Sequence, residues 1–156
     1  MNNQTKKFLE VLDALQKEAV DYVLIGGFAV VLHGYLRFTE GVELFIRNND
    51  SNLEKLRAAL KQVFKDQSID EITVPEIEQY AVIRYGTTDD FYIDIIGNIG
   101  EAFSLDDIKS EEIEVQGTKV RIATLESLYK LKEKTYRAVD QADLLFLAER
   151  IRNKTI

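Results

Sequence analysis

The sequence predicts an α+β domain with layers of the α/β type. A mixed, mainly antiparallel sheet is flanked by helices, and two helices close the chain. Three observations predict it. Apolar residues recur at helical spacing in separate stretches, and short apolar runs bounded by glycine or polar residues lie between them. Two glycine-containing turns then join pairs of those runs. A chain of 156 residues suits one domain over 1–156, large enough to bury a core without disulfides.

Taken in order, residues 5–19 carry Phe8, Val11, Leu12, Leu15 and Ala19 on one helical face. "YVLI" (22–25) is a short apolar run stopped by Gly26-Gly27 and reads as a buried strand. "FAVVLHG" then suits a short buried helix ended by Gly34, and "VELFI" (42–46) a second strand. In "SNLEKLRAALKQVF", Ser51 and Glu54 stand at capping-box spacing, and Leu53, Leu56, Leu60 and Phe64 form an apolar stripe. "YAVIRY" and "FYIDII" flank a turn over 86–90 and read as antiparallel strands; "EIEVQGTKVRIA" reads as a smaller hairpin around Gln116-Gly117. Thr124 is a plausible N-cap for the first of two closing helices, over 125–135 and 140–151.

Composition excludes several classes of function. With no cysteine, disulfides, thiolate metal sites and cysteine nucleophiles are ruled out. The opening "MNNQTKKFLE" is polar, and no apolar stretch approaches the length of a membrane span, so a cytoplasmic location with no membrane partner is expected. The net charge of −7 argues against general DNA binding, which needs a basic surface that releases counterions. A local basic patch for a nucleoside triphosphate or a tRNA end remains compatible.

Three constellations carry candidate chemistry, each beside a structural reading. Gly26-Gly27, between a strand and a helix, either lets backbone N–H groups approach a phosphate or is a tight connection with no ligand. Positions 41 and 43 share a strand face, and Asp94 interrupts an apolar run shared with Tyr92 and Ile96. An acidic residue buried there needs a partner: a metal ion held by strand carboxylates, or an arginine such as Arg84 or Arg37, unless it lies at a strand end near solvent. In the closing helices, Lys130, Lys134 and Arg137 form either a basic edge or a solvated face, with Lys132 turned away from them. The single histidine, His33, reads as a hydrogen-bonded structural residue.

Together these segments resemble the nucleotidyltransferase superfamily with the polymerase-β-like fold, and within it the small bacterial AbiEii-like branch. The opening motif of those proteins runs strand, Gly-Gly, helix, His-Gly, Arg-x-Thr and Asp-x-Asp; "YVLIGGFAVVLHGYLRFTEGVELFI" keeps its frame without a gap. Their closing motif is matched by Leu125-Glu126, Leu128, Lys132, Thr135, Arg137, Asp140 and Ala142-Asp143. The resemblance covers about residues 5–152. It implies the nucleotidyltransferase fold and transfer of a nucleoside monophosphate from an NTP to a protein, tRNA or small-molecule acceptor. It also implies Mg2+ as cofactor, held by strand carboxylates. By position, nucleotide binding falls to Gly26, Gly27, Arg37, Thr39 and Lys132, metal binding to Glu43 and Asp94, and catalysis to Glu43, Asp94 and Asp140.

This chain departs from the family pattern at the carboxylate pair. Gly41 stands where the first aspartate is expected and offers no ligand, and Glu43 replaces the second. Its extra methylene moves the carboxylate out by about 1.5 Å, which matters to an ion demanding near-ideal octahedral geometry. Strand alternation turns Glu40 to the other face, unless the strand begins after it; Asp89 is a further candidate ligand. Three functions follow as expectations: a transferase with a modified metal site, a silent nucleotide-binding, regulatory or toxin–antitoxin module with a protein partner, and a structural or homo-oligomeric protein that binds no nucleotide.

Overall fold

Two buried strands run side by side through the middle of the molecule and set its frame. The computed structural model describes residues 3–80, 82–97, 104–133 and 138–154. All four residues of β1 (Tyr22–Ile25) are buried, as an apolar run covered on both faces must be. It pairs antiparallel with β2 (Gly41–Ile46), and the sheet extends through β3 (Ile83–Gly86), β4 (Tyr92–Ile96), β5 (Ser110–Val115) and β6 (Thr118–Ala123). The strand order is β3-β4-β2-β1-β6-β5. Hairpins β3–β4 and β5–β6 are antiparallel, while β2–β4 and β1–β6 are parallel, so the sheet is mixed as expected. The β5 edge exposes Glu111, Glu112 and Glu114, which discourages a further strand from pairing there.

The helices are α1 (Asn3–Lys17), α2 (Gly26–Leu32), α3 (Asp50–Val63), α4 (Val74–Gln79), α5 (Leu125–Lys132) and α6 (Ala138–Lys154). α1 packs on α3 and β6, α2 on β1 and β2, and α5 on α6. A chain of edge-to-face rings, Phe28 to Phe8 to Phe91 to Phe64 to Tyr85, fastens α1, α2 and the end of α3 to the β3–β4 hairpin. Edge-to-face contacts suit the ring quadrupoles as well as burying area. No helix among the described residues is long and apolar enough to cross a membrane.

Several ends differ from the sequence expectation. α1 stops at Lys17 and Ala19 takes φ +55, while the Val20 N–H reaches back to the Leu15 carbonyl at 3.0 Å. That is a left-handed helix cap built on alanine, which apolar periodicity reads as another helical turn. α2 starts at Gly26 itself, so the glycine pair forms its first turn. The cap of α3 is Asn49, which accepts from the Asn52 N–H, and not Ser51. β3 begins at Ile83, because Tyr80 ends α4, a helix with Pro75 in its first turn. α4 and the 3₁₀ turns Gln67–Glu71 and Leu105–Asp107 are too short to leave a periodic signal. Thr124 caps α5 as expected, accepting from the Ser127 N–H. Lys134 of the candidate basic edge, and Thr135 and Arg137 of the closing motif, lie outside the described residues.

Candidate functional site

Sheet register assembles a row of charged side chains from three strands. Glu43 is level with Asp94, and Asp94 with Arg84; residues level on neighbouring strands share a face. One step along, Gly41 is level with Tyr92 and Tyr92 with Gly86. Gly41, Glu43, Arg84, Tyr92 and Asp94 line a cleft of ≈ 330 Å³, together with Gly27 of α2, the segment Arg37, Phe38, Thr39 and Glu40, and Lys132 of α5. β2 begins at Gly41, so Glu40 lies ahead of the strand and faces the cleft.

Asp94 has found its partner in Arg84. The guanidinium grips it as a fork, Nε to Oδ1 at 2.9 Å and Nη2 to Oδ2 at 3.1 Å, a planar match of two charged hydrogen bonds. The hydrogen bond to Asp94, and then its charge, hold the Arg84 pKa above the ordinary arginine value. Arg84 Cζ also lies 4.6 Å from the centre of the Tyr92 ring, within cation–π range. Arg37, the other arginine weighed for Asp94, is engaged elsewhere.

Arg37 forks instead onto Asp143, Nε to Oδ1 at 2.8 Å and Nη2 to Oδ2 at 2.7 Å, and its Nη1 donates to the Phe38 carbonyl at 2.8 Å. Lys132 Nζ lies 3.0 Å from Asp140 Oδ1 and 3.1 Å from Asp143 Oδ2. Lys132, Asp140 and Asp143 are all buried. Among the described residues, two cations and two carboxylates thus meet in one cluster that joins α5, α6 and the segment before β2. A buried charge survives only when paired in this way. Lys132 and Arg37 reach the cleft with their charges already matched, and Asp140 stands behind Lys132, outside the cleft lining.

The glycines accommodate side chains rather than a bare loop. A Cβ on Gly26, at φ +75, falls 2.4 Å from Glu43 Cδ, and a Cβ on Gly27 falls 2.6 Å from Arg37 Nη2 and 3.1 Å from Thr39 Oγ1. Thr39 Oγ1 in turn donates to the Gly41 carbonyl at 3.1 Å. At Gly41 the obstacle is main chain: a Cβ falls 2.0 Å from the Tyr92 carbonyl oxygen. A carboxylate side chain there requires β2 and β4 to move apart.

Those positions decide whether a pair of Mg2+ ions fits. Gly41 supplies neither a ligand nor room for one. Glu43 places its carboxylate against Gly26, at the end of β1, whereas Asp94 on β4 is forked onto Arg84. Among the described residues no three histidine, cysteine or acidic side chains converge on one point. The described side chains do not fit a two-metal centre. Asp89, the outlying candidate, sits on the β3–β4 turn with Lys7 Nζ at 3.6 Å. His33 is structural, its Nε2–H donating to the Ala123 carbonyl at 2.9 Å.

Sequence reasoning named both partners of the Arg84–Asp94 pair but missed Tyr92 and Phe38 as cleft walls. The spacing of Tyr92 and Asp94, two apart on one strand, carried that signal. Asp143 was quoted in the closing motif without a role, and nothing local reveals that its partner lies 106 residues away.

A family model described as "Nucleotidyl transferase of unknown function (DUF2204)" matches residues 4–156. Among solved structures, the chain resembles the lincosamide antibiotic adenylyltransferase LnuA in its lincomycin-bound form. The TM-score is 0.60 at 15% identity, over 95% of this chain and 98% of that one. It also resembles ANT(2″)-Ia in complex with adenylyl-2″-tobramycin, with TM-score 0.59 and 12% identity over 96% and 90% of the two chains. JHP933 from Helicobacter pylori gives 0.54 at 21% identity, over 94% and 65%. No curated protein sequence matches. At these identities the likeness is one of fold.

Proposed function

The chain belongs to this nucleotidyl transferase family, and on that premise we propose that its cleft binds a nucleoside triphosphate but transfers nucleotide weakly or not at all. One observation carries the second half: the carboxylate pair needed for two-metal transfer cannot assemble where the Tyr92 carbonyl occupies the side-chain space of Gly41. The first half rests on the cleft itself. Arg37, Arg84 and Lys132 line it with cationic N–H donors, each paired with a carboxylate, and Phe38 and Tyr92 offer ring faces for a base. An adenylyl product bound to a structural neighbour supports the same use of the fold. The two ungapped motifs support a place beside the AbiEii-like branch, with a protein partner as one outlet for a silent domain.

A melting series tests the binding half. ATP, GTP, CTP and UTP are added at millimolar concentration with Mg2+, and at least one raises the melting temperature. A ligand at about 100 times its Kd stabilises by roughly 2.7 kcal/mol. If none of the four shifts the transition, nucleotide binding is wrong. Labelled-NTP transfer to protein, tRNA or small acceptors tests the other half, and robust incorporation by the unaltered chain contradicts it.

A further inference from the structure

We infer that Arg84 is the resident cation of this cleft, so that the triphosphate is bound without a divalent metal; the inference rests on the nucleotide-binding reading above. Three features of Arg84 point the same way. First, it is held still from two sides, forked onto Asp94 and stacked over Tyr92. A guanidinium fixed before the ligand arrives loses little freedom on binding. Second, only Nε and Nη2 serve Asp94, and Nη1 makes no hydrogen bond among the described residues. The side chain is 58% exposed on the cleft wall, so that amino group is open to a phosphate oxygen. Third, the fork occupies both oxygens of Asp94, so a second cation must displace Arg84 to reach them. A divalent ion on the same carboxylate meets Arg84 as a like charge at close range.

Two further acidic groups line the cleft. Glu43, level with Asp94 on the neighbouring strand, keeps its carboxylate against Gly26. Glu40 precedes the strand, and its charge adds to the hydrogen bond and charge of Asp94 in holding Arg84 protonated. The ordinary alternative is that Arg84 and Asp94 are a cross-strand pair that only steadies the β3–β4 hairpin. That alternative explains the fork but gives the open Nη1 group no task. It also predicts no link between Arg84 and ligand affinity.

The test measures ATP affinity of the full chain by titration calorimetry, once in EDTA and once in Mg2+, with inorganic tripolyphosphate as a second probe. The inference expects ATP and tripolyphosphate to bind in EDTA with affinities within about threefold of those in Mg2+. Arg84→Gln should weaken both by about tenfold or more, with Arg84→Lys recovering part of the loss because charge returns without the fork. Unliganded melting temperatures of both variants separate lost affinity from lost folding. Binding that appears only with Mg2+ overturns the inference and leaves the nucleotide reading standing. So does unchanged affinity in a folded Arg84→Gln. Failure of ATP to bind in either buffer overturns both.

Discussion

At position 41 the side chain is a single hydrogen because the Tyr92 carbonyl oxygen lies 2.0 Å from where a Cβ would stand. Main chain cannot rotate aside as a flexible side chain can, so even one methyl group must push β2 from β4. Gly41→Ala should therefore destabilise by about 1–3 kcal/mol, the usual cost of forcing extra volume into a packed site, read as a fall in the midpoint of denaturant unfolding. An aspartate meets the same carbonyl. The double variant Gly41→Asp with Glu43→Asp should accordingly be less stable than the parent and remain at background in labelled-NTP transfer. A double variant that folds normally and transfers nucleotide would show that the strands part easily and that the site has merely lost its ligands. Only the presence of the glycine is legible in the sequence. Its physical reason lies on another strand.

The start of α3 shows how elements acquire their ends. Asn52 is buried, and its side chain bonds the Asp21 N–H at 2.7 Å and the Asp21 and Arg47 carbonyls at 2.9 and 2.8 Å. That plug at the ends of β1 and β2 fixes the helical register, so Asn49 becomes the cap. Asn49→Ala should cost about 1 kcal/mol, while Ser51→Ala should stay within about 0.5 kcal/mol, both measured by chemical unfolding. Asp66 performs a similar service beyond the helix. It accepts from the Ser68 N–H and hydroxyl and from Tyr85 Oη, joining the 67–71 turn to β3. Those bonds, the Ser68 N–H first, hold its pKa below the ordinary aspartate value. Burial, and then Asp66, push that of Tyr85 up. A depressed carboxylate stabilises above its unfolded pKa of about 3.9, and the contribution is lost as pH falls through the folded value. Asp66→Ala should thus melt below the parent at pH 7 and converge with it near pH 2, in paired thermal scans.

Across the whole molecule, the Arg37–Asp143–Lys132–Asp140 cluster fastens the last two helices to the segment that leads into the cleft. Asp143 is fully buried and answers two cations at once. Asp143→Ala should cost about 3–5 kcal/mol, because it leaves buried charge unmatched. A double-mutant cycle with Arg37→Ala should be clearly non-additive, since the two side chains share one interaction. Additive losses would mean that the cluster does not act as a unit. The strands and the helices other than α4 were legible in the sequence in their order, and the frame linking the glycine pair, the interrupted carboxylate strand and the closing motif was legible through the family resemblance. The signals for single elements arise from spacing within one turn or one strand, where neighbours in sequence are neighbours in space. Tertiary structure alone decided that β4 runs parallel beside β2 and brings its carbonyl against Gly41. It also decided that Asp94 takes Arg84 and not Arg37, and that Lys132 is buried among carboxylates. Choosing a partner for a charge depends on which distant segments the fold brings within about 3 Å of it, and no local pattern encodes that distance.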